Sequence, residues 1–253
     1  MKEQKLKQIE DYIEEHENVA LTTLCTEFDI SMSTLRRALK VLCDRGVVHK
    51  QYGFVYASGK RKFVPFHVRN SLNTDAKKEA CRCAAELIQE NDIIYLDSGS
   101  TTCHILDYIG HIRNLTVITG NIDIIIKALA LDNVTVFVLP GMLNKKNNSF
   151  SPADARQTFA AYNINRAFIA ASGLSVAGGF SHSDPMERDT KLAAMEKSEQ
   201  ICFVLDDSKF DRTSLISLGP LTMADMICTN REPAPAIQQY CSDSHILLRY
   251  PRK

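Results

Sequence analysis

Three groups of residues have types and spacings that can do chemistry. Arg36 and Arg37 are adjacent, Lys40 follows one helical turn on, and no acid appears until Asp44. Guanidinium groups without an acid beside them are donors for phosphates or for the acceptor edges of bases. The second group is Asp97-Ser98-Gly99-Ser100-Thr101-Thr102, small hydroxyl residues directly after the apolar run DIIYL. Hydroxyls and backbone N–H groups at a strand-to-helix turn form a cradle for an anion such as phosphate, although a plain tight turn uses the same residue types. The third is a set of polar ends on other apolar runs: Thr119-Gly120-Asn121, Pro140-Gly141 and Asp207-Ser208-Lys209. Lys209 would bring positive charge to that edge, for a phosphate or a carboxylate.

Other chemistries find little support. The hydroxyl loop lacks the GK[ST] ending of a Walker A loop and the chain has no GxGxxG, so no nucleotide cofactor is expected. The eight cysteines, at 25, 43, 81, 83, 103, 202, 228 and 241, include no CxxC, and Cys81-x-Cys83 is poor zinc spacing. Their apolar company (ICFVL, MICTN, KVLCD) fits buried free thiols in a reducing compartment. His104 and His182 lie near the presumed ligand loops, but without metal-ligand spacing no metal site is expected.

The elements that must carry these residues follow from periodicity. Leu6, Ile9 and Ile13 recur at helical spacing with Tyr12 beside them, and Leu21, Leu24, Cys25 and Phe28 make a second stripe within VALTTLCTEFDIS. Ile30-Ser31-Met32 is a tight turn, and Ser31 or Ser33 caps a third helix. There Leu35, Leu39 and Leu42 face inward and leave Arg36, Arg37 and Lys40 outside, until Gly46 ends the helix. VVHKQYGFVYA reads as two short strands around a turn near Gly53. Three helices and a hairpin make a winged helix-turn-helix. Its third helix would enter the DNA major groove with Ser31, Ser33, Thr34, Arg36 and Arg37 on base edges or phosphates, while Lys40, Lys50 and Tyr52 hold the backbone.

Charge agrees. The 253 residues hold 30 basic and 30 acidic side chains, but Ser31 to Lys62 contains eight Lys/Arg against Asp44 alone, a net of +7. Residues 63–253 carry nineteen basic and twenty-one acidic residues, a net of −2. Concentrated positive charge of this kind is the footprint of a nucleic-acid module. Helix-turn-helix spacing favours duplex DNA over RNA, whose A-form major groove does not admit a helix. No leader and no bilayer-length apolar run is present, so a cytoplasmic chain without a membrane partner is expected.

Beyond the basic, then polar segment ASGKRKFVPFHVRNSLNTDAKKEA, broken by Pro65, strands and helices alternate. DIIYLDSGS, LTVITGN, VTVFVLPG, RAFIAASG, ICFVLDDS and DMICTN read as buried strands, with helical stretches between them. That alternation predicts a doubly wound, largely parallel α/β sheet, with ligands outside the C-terminal strand ends. The expected division is residues 1–58 for DNA, a linker over 59–74, and an effector-binding domain over 75–253.

LTTLCTEFDISMSTLRRALKVLCDRGVVHKQYGF resembles the N-terminal domain of the DeoR family of bacterial repressors, with Ala38 where the family carries an acid and Phe54 in place of the second wing glycine. The same resemblance continues through D.G[ST]TT, a Thr/Asn strand end and D.SKf, over essentially the whole chain. It implies a regulator, usually a symmetric homo-oligomer (dimer or tetramer), that binds double-stranded operator DNA and is released by a phosphorylated sugar or sugar acid. It also implies an effector site from Asp97, Ser98, Gly99, Ser100, Thr101, Thr102, Thr119, Asn121, Gly141, Glu187 and Lys209. VPFHVR, YLDSGSTT..ILDYI, VIT.NIDII..A.AL and YNINRAF resemble the myo-inositol catabolism repressors within the family, implying a phosphorylated keto-sugar acid.

The family's effector domain is in turn similar to ribose-5-phosphate isomerase, which makes a sugar-phosphate isomerase with a basic extension the rival reading. That enzyme places carboxylates after the strand matching AFIAASGLS, where this chain has none. Glu187 in MERDTK matches the enzyme's catalytic acid, but one carboxylate without partners is a poor proton shuttle. An exposed acid favoured by the helix dipole fits Glu187 equally well.

Overall fold

Leu6, Ile9 and Ile13 form the buried stripe of α1 (Glu3–His16), the first element of the computed structural model, which describes residues 3–16, 18–51, 54–57 and 66–251. The chain divides into two units, Met1–Val64 and Pro65–Lys253. In the first, β1 (Asn18–Ala20), α2 (Leu21–Glu27), α3 (Met32–Asp44), β2 (Val48–Gln51) and β3 (Phe54–Ala57) follow α1. Leu24, Leu35, Leu39, Leu42, Val48 and Val55 close the core with α1's stripe. Ser31 caps α3, its Oγ accepting from Thr34 N at 3.3 Å. The wing has three antiparallel strands in the order β1-β3-β2. β1 was not expected: Val19 and Ala20 leave the helical pattern because Val19 pairs with Val55 and is buried.

The second unit opens with α4 (Phe66–Ser71) and α5 (Thr74–Ala85), so residues 66–71 are helix where a linker over 59–74 was expected. Then come β4 (Ile93–Leu96), β5 (Leu115–Thr119), α6 (Ile122–Ala128), β6 (Val134–Val138), β7 (Met142–Asn144), β8 (Ser149–Ser151), α7 (Ala155–Phe159) and β9 (Ile164–Ile169). β10 (Gly173–Ser175), β11 (Gly179–His182), α8 (Pro185–Glu196), β12 (Ser198–Val204), β13 (Ile216–Gly219), β14 (Met226–Cys228), α9 (Pro235–Asp243) and β15 (Leu247–Arg249) complete it. The segment TTCHILDYI after β4 contains a 3-10 helix over Thr102–Tyr108, tighter than an α-helix.

Seven strands form one parallel sheet in the order β15-β14-β12-β9-β4-β5-β6. Ile94 and Leu96 of β4 pack into one apolar core and Tyr95 into another, so helices cover both faces. The chain proceeds from β4 outward through β5 and β6, then returns to β9 on β4's other side. The direction of winding therefore reverses between β4 and β9, where such sheets bind ligands. Two antiparallel additions, β7-β8 and β10-β11-β13, follow the ends of β6 and β9. All eight thiols are free, six of them buried, with Cys25 and Cys43 half-buried. Among the described residues no helix is long and apolar enough to cross a membrane.

Candidate functional site

On the first unit, α3 buries Leu35, Ala38, Leu39 and Leu42 and turns Arg36, Arg37 and Lys40 outward. Arg36, Arg37, Lys40 and Lys50 are exposed and make no hydrogen bond or ion pair among the described residues. Arg45, in the same basic window, forms a two-pronged ion pair with Glu3 (2.5 and 3.1 Å) that joins the end of α3 to the start of α1. The basic face is therefore α3's own surface, and the position where the family has an acid, Ala38, is spent on the core. Ser31 Oγ lies 2.9 Å from both Ser33 Oγ and Thr34 Oγ1. Tyr52 and the turn at Gly53 lie outside the described residues.

In the second unit the β4–β9 crevice is fixed by charge. Asp97, directly after β4, is 1% exposed and ion-paired with the fully buried Lys191 of α8. Asp97 Oδ2 also accepts from Ala170 N (3.0 Å), and Lys191 donates to Ala170 O (3.1 Å), so one ion pair holds both strand ends. A Cβ on Gly99 would fall on the Cβ of Ala170, so the hydroxyl loop passes β9 only with glycine there. Thr102 Oγ1 donates to Asp97 O (2.7 Å) and Gly99 O (3.1 Å) and shapes the loop from inside. Ser98 and Thr101 are buried, and neither side chain makes a hydrogen bond among the described residues.

One cation touches this loop and two more act on that cation. Lys77 of α5, 3% exposed, donates to Ser100 Oγ (3.2 Å) and to the carbonyl of Arg69. Burial, then the charge of Lys209, pushes the Lys77 ammonium down to about 8. Lys209 stands 4.0 Å from Asp206, its side chain 16% exposed. Arg69 of α4 donates to Asn147 Oδ1 at 2.6 Å. Burial lowers the pKa of this guanidinium, and Glu187, Asp97 and Asp184 oppose the shift.

Several expected contacts are partly committed to the scaffold. Thr119 Oγ1 donates to Leu96 O (2.7 Å), and Asn121 Oδ1 caps α6 by accepting from Asp123 N and Ile124 N. Asn121 Nδ2, fully buried, has no partner among the described residues. Gly141, at φ +130°, approaches the backbone of Ser151, where a side chain has no room. Glu187 is buried, not an exposed helix-start acid; it accepts from His182 Nε2 (2.8 Å) and Ser149 Oγ (3.1 Å). Beside it, Asp184 Oδ2 accepts from the amides of Asn144 (2.9 Å) and Asn147 (2.8 Å). Arg69, Lys77, Asn147, Asp184 and Lys191 were not singled out from the sequence. The one available signal was a lysine on an apolar helix stripe, as Lys77 is with Ala80, Cys81 and Ala84. A cavity of about 420 Å³ lined by Arg82, Glu86 and Tyr250 is lined by none of these groups.

His182 gives a pH prediction. Burial first, then the charge of Lys191, holds its pKa well below the usual 6.5, so it is neutral and donates through Nε2. The unfolded chain takes up a proton near pH 6.5 that the folded chain does not, so acidification through that value favours unfolding. Urea midpoints at pH 7.5 and 5.5 should fall further for the wild type than for His182→Gln; equal falls would show that His182 is not the group responsible.

A winged helix-turn-helix with a basic reading face, followed in one chain by an α/β unit with polar groups at its switch point, defines a DNA-binding transcriptional regulator. The chain belongs to the DeoR family: the DeoR-like helix-turn-helix domain matches residues 5–58 and the DeoR C terminal sensor domain matches residues 72–231. It is 32% identical to the HTH-type transcriptional regulator IolR of Bacillus subtilis, over 97% of this chain and 98% of that one. It is 24% identical to the glycerol-3-phosphate regulon repressor of Escherichia coli, over 91% of each. Among solved structures, ribose 5-phosphate isomerase A of Neisseria gonorrhoeae aligns at a TM-score of 0.40 and 15% identity, over 53% of this chain and 52% of that one.

Proposed function

We propose that the chain represses a sugar or polyol catabolic operon, holding operator DNA through α3 and the wing until a phosphorylated sugar or sugar acid enters the strand-end cluster. The carrying observation is Lys77, bonded to Ser100 of the loop Ser98–Thr102 and flanked by the charges of Lys209 and Arg69, together with the unsatisfied Asn121 Nδ2. Buried like charges with spare hydroxyl and amide donors favour a multivalent anion. Ser98, Ser100, Thr101 and Lys209 take its phosphate in this reading, and Glu187 and Asp184 its hydroxyls. The likeness to inositol-catabolism repressors favours a phosphorylated keto-sugar acid. The chain acts in the cytoplasm as a homo-oligomer, because two half-sites multiply affinity.

The chain is not an isomerase in this reading. Asp97 is held by Lys191, Glu187 by His182 and Ser149, and Ala170-Ala171-Ser172-Gly173 supplies no acid after β9. Turnover of pentose or hexose phosphates would overturn it. A thermal-shift screen of sugar phosphates and sugar-acid phosphates tests the effector: a ligand at a hundred times its Kd adds roughly 2.7 kcal/mol, or about 5–11 °C for a unit of this size. Lys209→Met should weaken binding of the best compound about tenfold or more, the worth of one charge-assisted contact. Normal binding by that variant would place the anion elsewhere.

A further inference from the structure

The helix that opens the second unit, nearest in the chain to the DNA-binding unit, is fastened to the candidate effector site by its side chains and backbone. Arg69 Nη2 donates to Asn147 Oδ1, and Asn147 is fully buried and in turn donates to Asp184. The carbonyl of Arg69 accepts from Lys77, which also holds Ser100 of the hydroxyl loop. Asn70 Oδ1 accepts from Cys103 Sγ at 3.5 Å. Asn73, in the left-handed region at φ 52°, gives its amide to Asp206 at 3.3 Å instead of capping α5. The segment from Arg69 to Lys77 is thus stitched to the ends of β4, β7 and β12.

We propose that Arg69 is a ligand of the effector's anionic group, and that its exchange of Asn147 for that group is how occupancy of the site reaches α4. This rests on the reading of the strand-end cluster as an anion site. A guanidinium carries five donors in a planar fork that matches phosphate or carboxylate two-pronged, with charge on both partners, which the single neutral oxygen of an amide cannot offer. Asn147 is a neutral acceptor. Asp97, Asp184 and Glu187, the acids whose charge acts on Arg69, already accept from Lys191, Ala170 N, Asn144, Asn147, His182 and Ser149. An anion between Arg69 and Lys77 would also relieve the repulsion that Lys209 and Arg69 exert on Lys77. A group bonded at once to Arg69 and to the hydroxyl loop fastens α4 to the sheet more firmly. The helix next in the chain to the DNA-binding unit then has two states, selected by the ligand, which is the requirement for coupling between sites.

The test uses the full chain and inorganic phosphate as probe, against chloride at equal ionic strength. Two quantities are read: the phosphate Kd from thermal shift, and backbone hydrogen exchange of residues 66–77. In the wild type, phosphate should raise the melting temperature and slow exchange of that segment. Arg69→Gln should raise the phosphate Kd at least tenfold and abolish the slowing, and Arg69→Lys, which keeps the charge but not the fork, should fall between. Should Arg69→Gln fail to fold, Arg69→Lys decides alone: a wild-type Kd and wild-type slowing overturn the proposal. Phosphate binding lost in Lys209→Met but kept in Arg69→Gln would leave the anion site standing and overturn the role of Arg69. No phosphate effect in the wild type overturns both the site reading and this inference. Binding in the wild type without slower exchange over residues 66–77 overturns the coupling.

Discussion

Alanine at both Arg36 and Arg37 is expected to weaken binding to a DNA site, selected from a random pool by the wild-type chain, by about thirtyfold to twenty-thousandfold. The range follows from roughly 1–3 kcal/mol for each arginine that grips a base edge with two bonds. Both side chains are exposed and make no hydrogen bond or ion pair among the described residues, so stability should change by about 0.5 kcal/mol or less. Lys40→Ala and Lys50→Ala provide the contrast. They should weaken binding to all sequences alike and flatten the salt dependence by about one phosphate's worth of slope. Anisotropy titrations at several salt concentrations separate the two behaviours. Affinity within a few-fold of wild type in the double variant would mean that α3 is not the reading helix.

What could be read from the sequence was what periodicity and order encode. The stripe Leu35, Leu39, Leu42 fixes which face of α3 is outside, and hence that Arg36, Arg37 and Lys40 share it. Continuous apolar runs ending in small polar residues located β4, β5, β9 and β12 and the loops that follow them. What could not be read depends on tertiary partners. α4 is six residues long and has no apolar period; hydrogen bonds that Arg69 and Asn73 donate to distant loops, and one that Asn70 accepts from Cys103, hold it and its junction with α5. Thr119 and Asn121 look like ligand groups in a strand end, yet Thr119 Oγ1 and Asn121 Oδ1 serve as internal braces. Glu187 looks like a helix-start acid, and only its burial between His182 and Ser149 gives it another use. Lys77 and Lys191 sit among alanines on buried helix faces, where pattern reading takes a lysine for an interruption of the stripe, not for a charge carried inward.

Lys191 is where that inward charge has the largest expected consequence. Lys191→Met keeps most of the side chain's length but leaves Asp97 buried without its counter-ion. The cost of removing one partner from such a pair is about 3–5 kcal/mol, or roughly 6–20 °C in melting temperature for a unit of this size. Much of that loss should be recovered by adding Asp97→Asn, which removes the stranded charge and keeps an acceptor for Ala170 N. A double-mutant cycle read by urea unfolding therefore predicts a strong coupling between the two positions. The double variant should fold and yet bind the anion more weakly than the wild type. Lys191 also donates to Ala170 O, so the pair clamps the ends of β4 and β9 at the point where the sheet reverses its winding. Without the clamp the hydroxyl loop loses its fixed distance from the opposite strand end. A Lys191→Met variant less than about 1 kcal/mol below wild type would show that Asp97 does not depend on Lys191, and that the crevice is set by backbone packing around Gly99.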